Sequence, residues 1–136
     1  MNVHFSSKTH EWETPQEFFD TLNREFRFNL DPCATKKNAK TEIFFTKEDN
    51  GLSKSWRGKR VFCNPPYGRE IDGWVVKCAT GGGEVTVALL PARTDTRWFH
   101  DYIYWKADIR FIKGRLKFGG HKNSAPFPSM LVIFKP

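Results

Sequence analysis

The run Val85-Thr86-Val87-Ala88-Leu89-Leu90 is almost wholly apolar and ends at Pro91. A half-exposed strand would alternate apolar and polar residues, and a buried helix would be longer, so the run predicts a strand covered on both faces near the centre of a parallel sheet. Two other short apolar stretches stop in the same way. Phe28-Asn29-Leu30 runs into Asp31-Pro32, and Arg60-Val61-Phe62-Cys63 runs into Asn64-Pro65-Pro66. Proline has no N–H to give to a ladder, so each marks the end of a strand. Residues 43–45 and 108–112 read as further strands, and 116–118 with 130–134 as a closing antiparallel hairpin.

Helical patterns lie between these strands. Thr14-Pro15-Gln16-Glu17 joins a Thr cap, a proline in the first helical position and a glutamate three residues after the cap, which predicts a helix to about Phe26. Residues 68–80 suit a second helix and 95–104 a third. The β-α-β-α-β alternation predicts an α/β fold: a mostly parallel, Rossmann-like sheet with a C-terminal antiparallel hairpin and helices on both faces. Such sheets hold ligands at the carboxyl ends of their strands, where all three X-Pro stops fall.

Composition narrows the function. The 136 residues suit one compact domain, without a separate target recognition domain, and 13 Phe with 5 Trp supply a sizeable core. No apolar run reaches the roughly 18–20 residues that span a bilayer, and the segment MNVHFSSKTHEWET lacks an apolar leader pattern, so a soluble, cytoplasmic protein without a membrane partner is expected. A formal net charge of +7 favours a polyanionic partner. Cys33, Cys63 and Cys78 form no C-x-x-C pair, and His4, His10, His100 and His121 are scattered, so neither a disulfide framework nor a metal site is expected. Gly81-Gly82-Gly83 follows a helix and precedes a strand, the reverse of a phosphate loop, and reads as a helix stop.

The most informative tetrad is Asn64-Pro65-Pro66-Tyr67. Two prolines fix the backbone and remove two donors, so the Asn64 side-chain oxygen and the Pro65 carbonyl are free to face one planar amine. Accepting both N–H hydrogens draws the nitrogen lone pair out of conjugation and aims it at an electrophile. Tyr67 offers a face for stacking. A base inside a duplex cannot present its amine this way and has to be flipped out, at a cost of roughly a few kcal/mol.

This tetrad after a strand resembles the motif of amino-group methyltransferases that use S-adenosylmethionine. Trp12-x-Thr14-Pro15-x-x-Phe18-Phe19, Leu30-Asp31-Pro32-Cys33-Ala34, Asp49-x-Gly51-Leu52 with Trp56, Asn64-Pro65-Pro66-Tyr67-Gly68, Leu90-Pro91-Ala92-Arg93-Thr94 with Trp98-Phe99, and Gly114-Arg115-Leu116-x-Phe118 are similar, in that order, to the small phage-type, Dam-like DNA N6-adenine methyltransferases. The resemblance implies that Trp12, Thr14, Pro15, Asp31, Pro32, Cys33 and Ala34 contribute to the S-adenosylmethionine pocket, that Asp49 lies near the adenosine end, and that Asn64, Pro65, Pro66 and Tyr67 hold the target adenine. It further implies a bacterial host cytoplasm as the setting, if the chain is phage-encoded, and a role in DNA methylation or restriction-modification. The loop after Asp31 has no glycine, but S-adenosylmethionine carries no phosphate, and a carboxylate such as Asp31 suits its cationic end.

Arg93 and Arg97 follow the central strand on the tetrad's side of the sheet and are placed to hold phosphates flanking a flipped base; Arg115 and Lys117 form a second basic patch. The expected reaction is methyl transfer to the adenine N6 amine without a covalent enzyme intermediate, on DNA bound by a monomer or homodimer. N4-cytosine methylation, glutamine methylation and a non-catalytic nucleic-acid-binding module stay open at this point. Short loops in place of a recognition domain predict a short or relaxed target sequence.

Overall fold

The computed structural model describes residues 12–136. His4, His10 and the leader reading fall outside the described residues. Eleven residues, Gln16–Phe26, form α1; α2 spans Ile71–Thr80 and α3 spans Arg97–Tyr102. Four strands follow as β1 (Arg60–Cys63), β2 (Val85–Pro91), β3 (Asp108–Phe111) and β4 (Ser129–Phe134), with a short 3₁₀ turn at Gly51–Ser53. Among the described residues no helix is long and apolar enough to cross a membrane.

The strands form one sheet in the order β1-β2-β4-β3. All seven residues of β2 are buried, as its unbroken apolar run requires. The expected mostly parallel, Rossmann-like sheet is not what forms: β1 and β2 are parallel, but β4 is antiparallel to both β2 and β3, giving a small α/β domain on a mixed sheet. Two local causes explain the difference. The stretches around Leu30 and Phe44 do align parallel to their neighbours, at Leu30–Val61 and Asp31–Phe44, yet only as isolated bridges. Asn29 and Leu30 both donate to the Arg60 carbonyl, and Pro32 then removes the donor that would extend the ladder. The second cause is β4, which lies between β2 and β3 and uses both of its edges.

The expected hairpin of 116–118 with β4 is corrected for the same reason, because β4 has no free edge left. Residues 116–118 bond instead to their own loop: Ala125 N–H donates to the Leu116 carbonyl at 2.8 Å. The third helix is shorter than 95–104 because the Thr96 hydroxyl caps it, accepting from Phe99 N–H at 3.3 Å. α1 also departs from the expected start. Pro15, not Thr14, holds the cap position and makes no side-chain cap bond.

Strand register assigns the faces of the sheet. Phe62, Val87, Leu131 and Arg110 share one face with α1, where Phe62 meets Phe19 edge-on at 5.2 Å and Arg110 pairs with Glu25. Cys63 points the opposite way, hydrogen-bonded to Cys78 of α2. α1 and α2 thus cover opposite faces of β1, and the Asn64 tetrad leaves the sheet between them.

Candidate active site

Asn64 follows the last residue of β1, and its amide is held from the N-terminal segment. Its Nδ2 donates to the Trp12 carbonyl and, at 2.9 Å, to Thr14 Oγ1. Both nitrogen hydrogens are thereby used. Oδ1 is buried and has no partner among the described residues, a state shared only with Trp74 Nε1 and Ser129 Oγ. A buried acceptor left empty costs about 1–3 kcal/mol, so its persistence at the carboxyl end of β1 suits a donor that arrives with a ligand.

Tyr67 lies 3% exposed, with its hydroxyl donating to the Leu89 carbonyl at 2.9 Å. That bond fixes the loop to β2. The ring meets Phe127 edge-on at 5.6 Å and Phe118 at 6.5 Å, so any base stacking on Tyr67 requires these covering side chains to be displaced. Burial pushes the hydroxyl well above the ordinary tyrosine range, so it stays a neutral donor. Burial, followed by the bond with Cys78, likewise pushes the Cys63 thiol up, which leaves it protonated and unsuited to attack beside Asn64.

Asp31 sits 4% exposed at the next X-Pro stop. Its Oδ2 accepts from Lys40 N–H at 3.0 Å, and the Lys40 ammonium reaches Gln16 Oε1 of α1 at 3.2 Å. The Lys40 loop therefore links Asp31 to the start of the helix that follows Thr14. Desolvation raises the Asp31 carboxyl to about 6, opposed by bonds from the Lys40 and Cys33 backbones. No ion pair among the described residues engages it. Near neutral pH it is mostly a buried anion suited to hydroxyl donors or positive charge.

The folded protein holds the Asp31 proton more tightly than the unfolded chain, so stability contributed by this group is complete below about pH 4 and is lost as pH rises to about 6. Asp31→Asn is expected to stabilise the protein at pH 7 by up to about 3 kcal/mol and to flatten that slope. Urea unfolding of both proteins from pH 4 to 8 checks this, and parallel profiles would overturn it.

The Asp31-Pro32 turn rests on a glycine. A Cβ placed on Gly51 would lie 2.1 Å from the Pro32 carbonyl oxygen and 3.2 Å from the Trp74 ring. Trp56, fully buried, donates from Nε1 to the Gly51 carbonyl at 3.0 Å. Cys33 and Ala34 continue the turn, half-buried. Asp49 is exposed; its Oδ2 accepts from both the backbone and the hydroxyl of Thr46, bonds that hold its carboxyl below the usual range.

The structure brings Trp12, Thr14 and Asn64 together and places Asp31 to Ala34 at the neighbouring strand end. Pro15 is half-buried at the start of α1. Arg93, Arg97, Arg115 and Lys117 are all exposed. Lys40, Phe118 and Phe127 were not singled out for the site from the sequence. Phe118 closes one of the stretches that carry the family resemblance, and Phe127 offers only its aromatic character as a signal.

Comparison with known proteins identifies the family. The family described as DNA N-6-adenine-methyltransferase (Dam) matches residues 4–136. The chain is 30% identical to a DNA N-6-adenine-methyltransferase of Haemophilus phage HP1 (strain HP1c1), over 92% of its own length and 78% of the relative's. It is 33% identical to a DNA N-6-adenine-methyltransferase of Escherichia phage T1, over 77% of its length and 45% of the relative's. With the tetrad, its empty acceptor and the buried Asp31 at adjoining strand ends, the chain belongs to the phage-type DNA N-6-adenine-methyltransferase (Dam) family.

Proposed function

We propose that the protein methylates the N6 amine of adenine in DNA and that Asn64 Oδ1, with the Pro65 carbonyl, accepts the hydrogens of that amine. The observation that carries this reading is the buried Asn64 Oδ1, without a partner among the described residues. Two acceptors facing one NH₂ hold its plane and free the nitrogen lone pair for in-line attack. The neutral Tyr67 hydroxyl, tied to Leu89, keeps the loop rigid while its ring provides the stacking surface once Phe118 and Phe127 are displaced.

S-adenosylmethionine, when bound, supplies an electrophilic methyl on a sulfonium centre. The residues present fit such a ligand: Asp31 is a buried carboxylate without an ion-pair partner among the described residues, and the half-buried Cys33 and Ala34 adjoin it. The family resemblance assigns Trp12, Thr14 and Pro15, which precede α1, and Asp49, two residues before Gly51, to the same pocket. Burial holds the Cys63 thiol protonated, so it takes no part. After transfer the amine sheds one proton to water. Arg93 and Arg97, exposed after β2, and Arg115 with Lys117 are suited to hold backbone phosphates around an extruded base.

The test is incubation of the purified protein with unmethylated DNA and S-adenosylmethionine, followed by digestion and mass spectrometry of the nucleosides. N6-methyladenine is expected. N4-methylcytosine would keep the amine chemistry and change the base, whereas methylation of neither, with the cofactor bound, would overturn the substrate.

A further inference from the structure

We infer that Thr14, together with the main-chain carbonyl of Trp12, is the positioning element that turns the Asn64 amide so that its oxygen faces the substrate amine. This rests on the reading of Asn64 given above and adds a second set of residues to it. A primary amide has two orientations of nearly the same shape, and only one presents an acceptor to the substrate. The Trp12 carbonyl can only accept, so the Asn64 atom facing it is Nδ2. The second Nδ2 hydrogen goes to Thr14 Oγ1 at 2.9 Å. Rotating the amide by half a turn would put two oxygens in contact at a buried site and leave the nitrogen where the acceptor is needed.

The start of α1 carries the same message. Thr14-Pro15-Gln16-Glu17 has the pattern of a helix cap, worth about 0.5–2 kcal/mol when made, yet the helix begins one residue later with no side-chain cap. Thr14 is 4% exposed, and its hydroxyl is spent on Asn64. A local rule is set aside where a distant contact gains, the signature of a residue kept for a site.

The bracket is itself held from the far end of the chain. Gly119 N–H donates to the Glu13 carbonyl at 2.9 Å, and the Trp12 ring stacks on His121 at 4.3 Å and meets Phe127 edge-on at 5.0 Å. The loop after β3 thereby fixes residues 12–14, and these fix the amide.

Thr14→Val keeps the shape and removes the acceptor; Thr14→Ser keeps the acceptor. With Val, kcat on DNA is expected to fall about 10–100-fold while the KM for DNA stays within about threefold; Ser is expected to retain turnover within about threefold of the native protein. Side-chain NH₂ resonances of Asn64, in protein labelled with ¹⁵N-asparagine, should show two unequal, slowly exchanging hydrogens, one of which shifts in the Val variant. If Val does not fold, Thr14→Ala takes its place. Native turnover in the Val variant, a Ser variant as defective as Val, or unmoved Asn64 resonances would each overturn the inference. A native protein that methylates no DNA would instead overturn the function proposed for the site, and the resonances alone would then decide the amide's orientation.

Discussion

Asn64→Ala is expected to lower methyl transfer to DNA by about 10³-fold, equivalent to about 4 kcal/mol of barrier, because it deletes one of the two acceptors that prepare the amine. Affinity for S-adenosylmethionine should stay within a few-fold, since Asp31 and its turn are untouched. Stability should fall modestly, by about 1–3 kcal/mol, as the Trp12 carbonyl and Thr14 hydroxyl lose their shared donor. Single-turnover transfer from labelled cofactor, calorimetry and urea unfolding measure the three effects separately. A residual rate within tenfold of native would remove Asn64 from the chemistry.

Gly51→Ala is expected to act on the other half of the site. The added carbon would sit 2.1 Å from a backbone oxygen, which cannot swing aside as a flexible side chain can. The Pro32 carbonyl has to move, and Asp31 with it. Forcing atoms into a packed site costs about 1–3 kcal/mol or more, and cofactor affinity should drop at least tenfold as the carboxylate shifts. Gly73→Ala is the matched control. It lies within α2 with nothing closer than Leu52 at 3.9 Å, so alanine there should stabilise by about 0.5–1 kcal/mol and leave binding alone. Equal behaviour of the two variants in unfolding and calorimetry would refute the close-approach argument.

What the sequence disclosed and what it hid divide along the range of the interactions. Burial of β2 and the stop at Pro91 follow from seven consecutive residues. The antiparallel direction of β4 agrees with the expectation, but its place was not legible, because SMLVIF reads the same at an edge or in the middle. The hairpin expected for 116–118 failed for that reason. Thr14 looked like a helix cap because its neighbours fit one; its partner lies 50 residues away, where no local pattern reaches. Asp31 was visible as a strand-ending turn, but its burial depends on Gly51 and the Lys40 loop closing over it. The cover over Tyr67 was equally hidden, since Phe118 and Phe127 arrive from beyond β3.

The place of β4 also dictates an order of assembly. Among the described residues β3 bonds to no strand but β4, so it joins the sheet only when Ser129–Phe134 docks along β2, its distant partner in the chain. Such non-local pairing makes for slow folding. In hydrogen exchange, β3 amides should become labelled with or before those of β4, while β1 and β2 keep their parallel pairing independently of both. Because the loop that grips Trp12 leads from β3 into β4, the Asn64 amide acquires its orientation only once that loop is in place, and a partly folded chain would leave the amide free to turn.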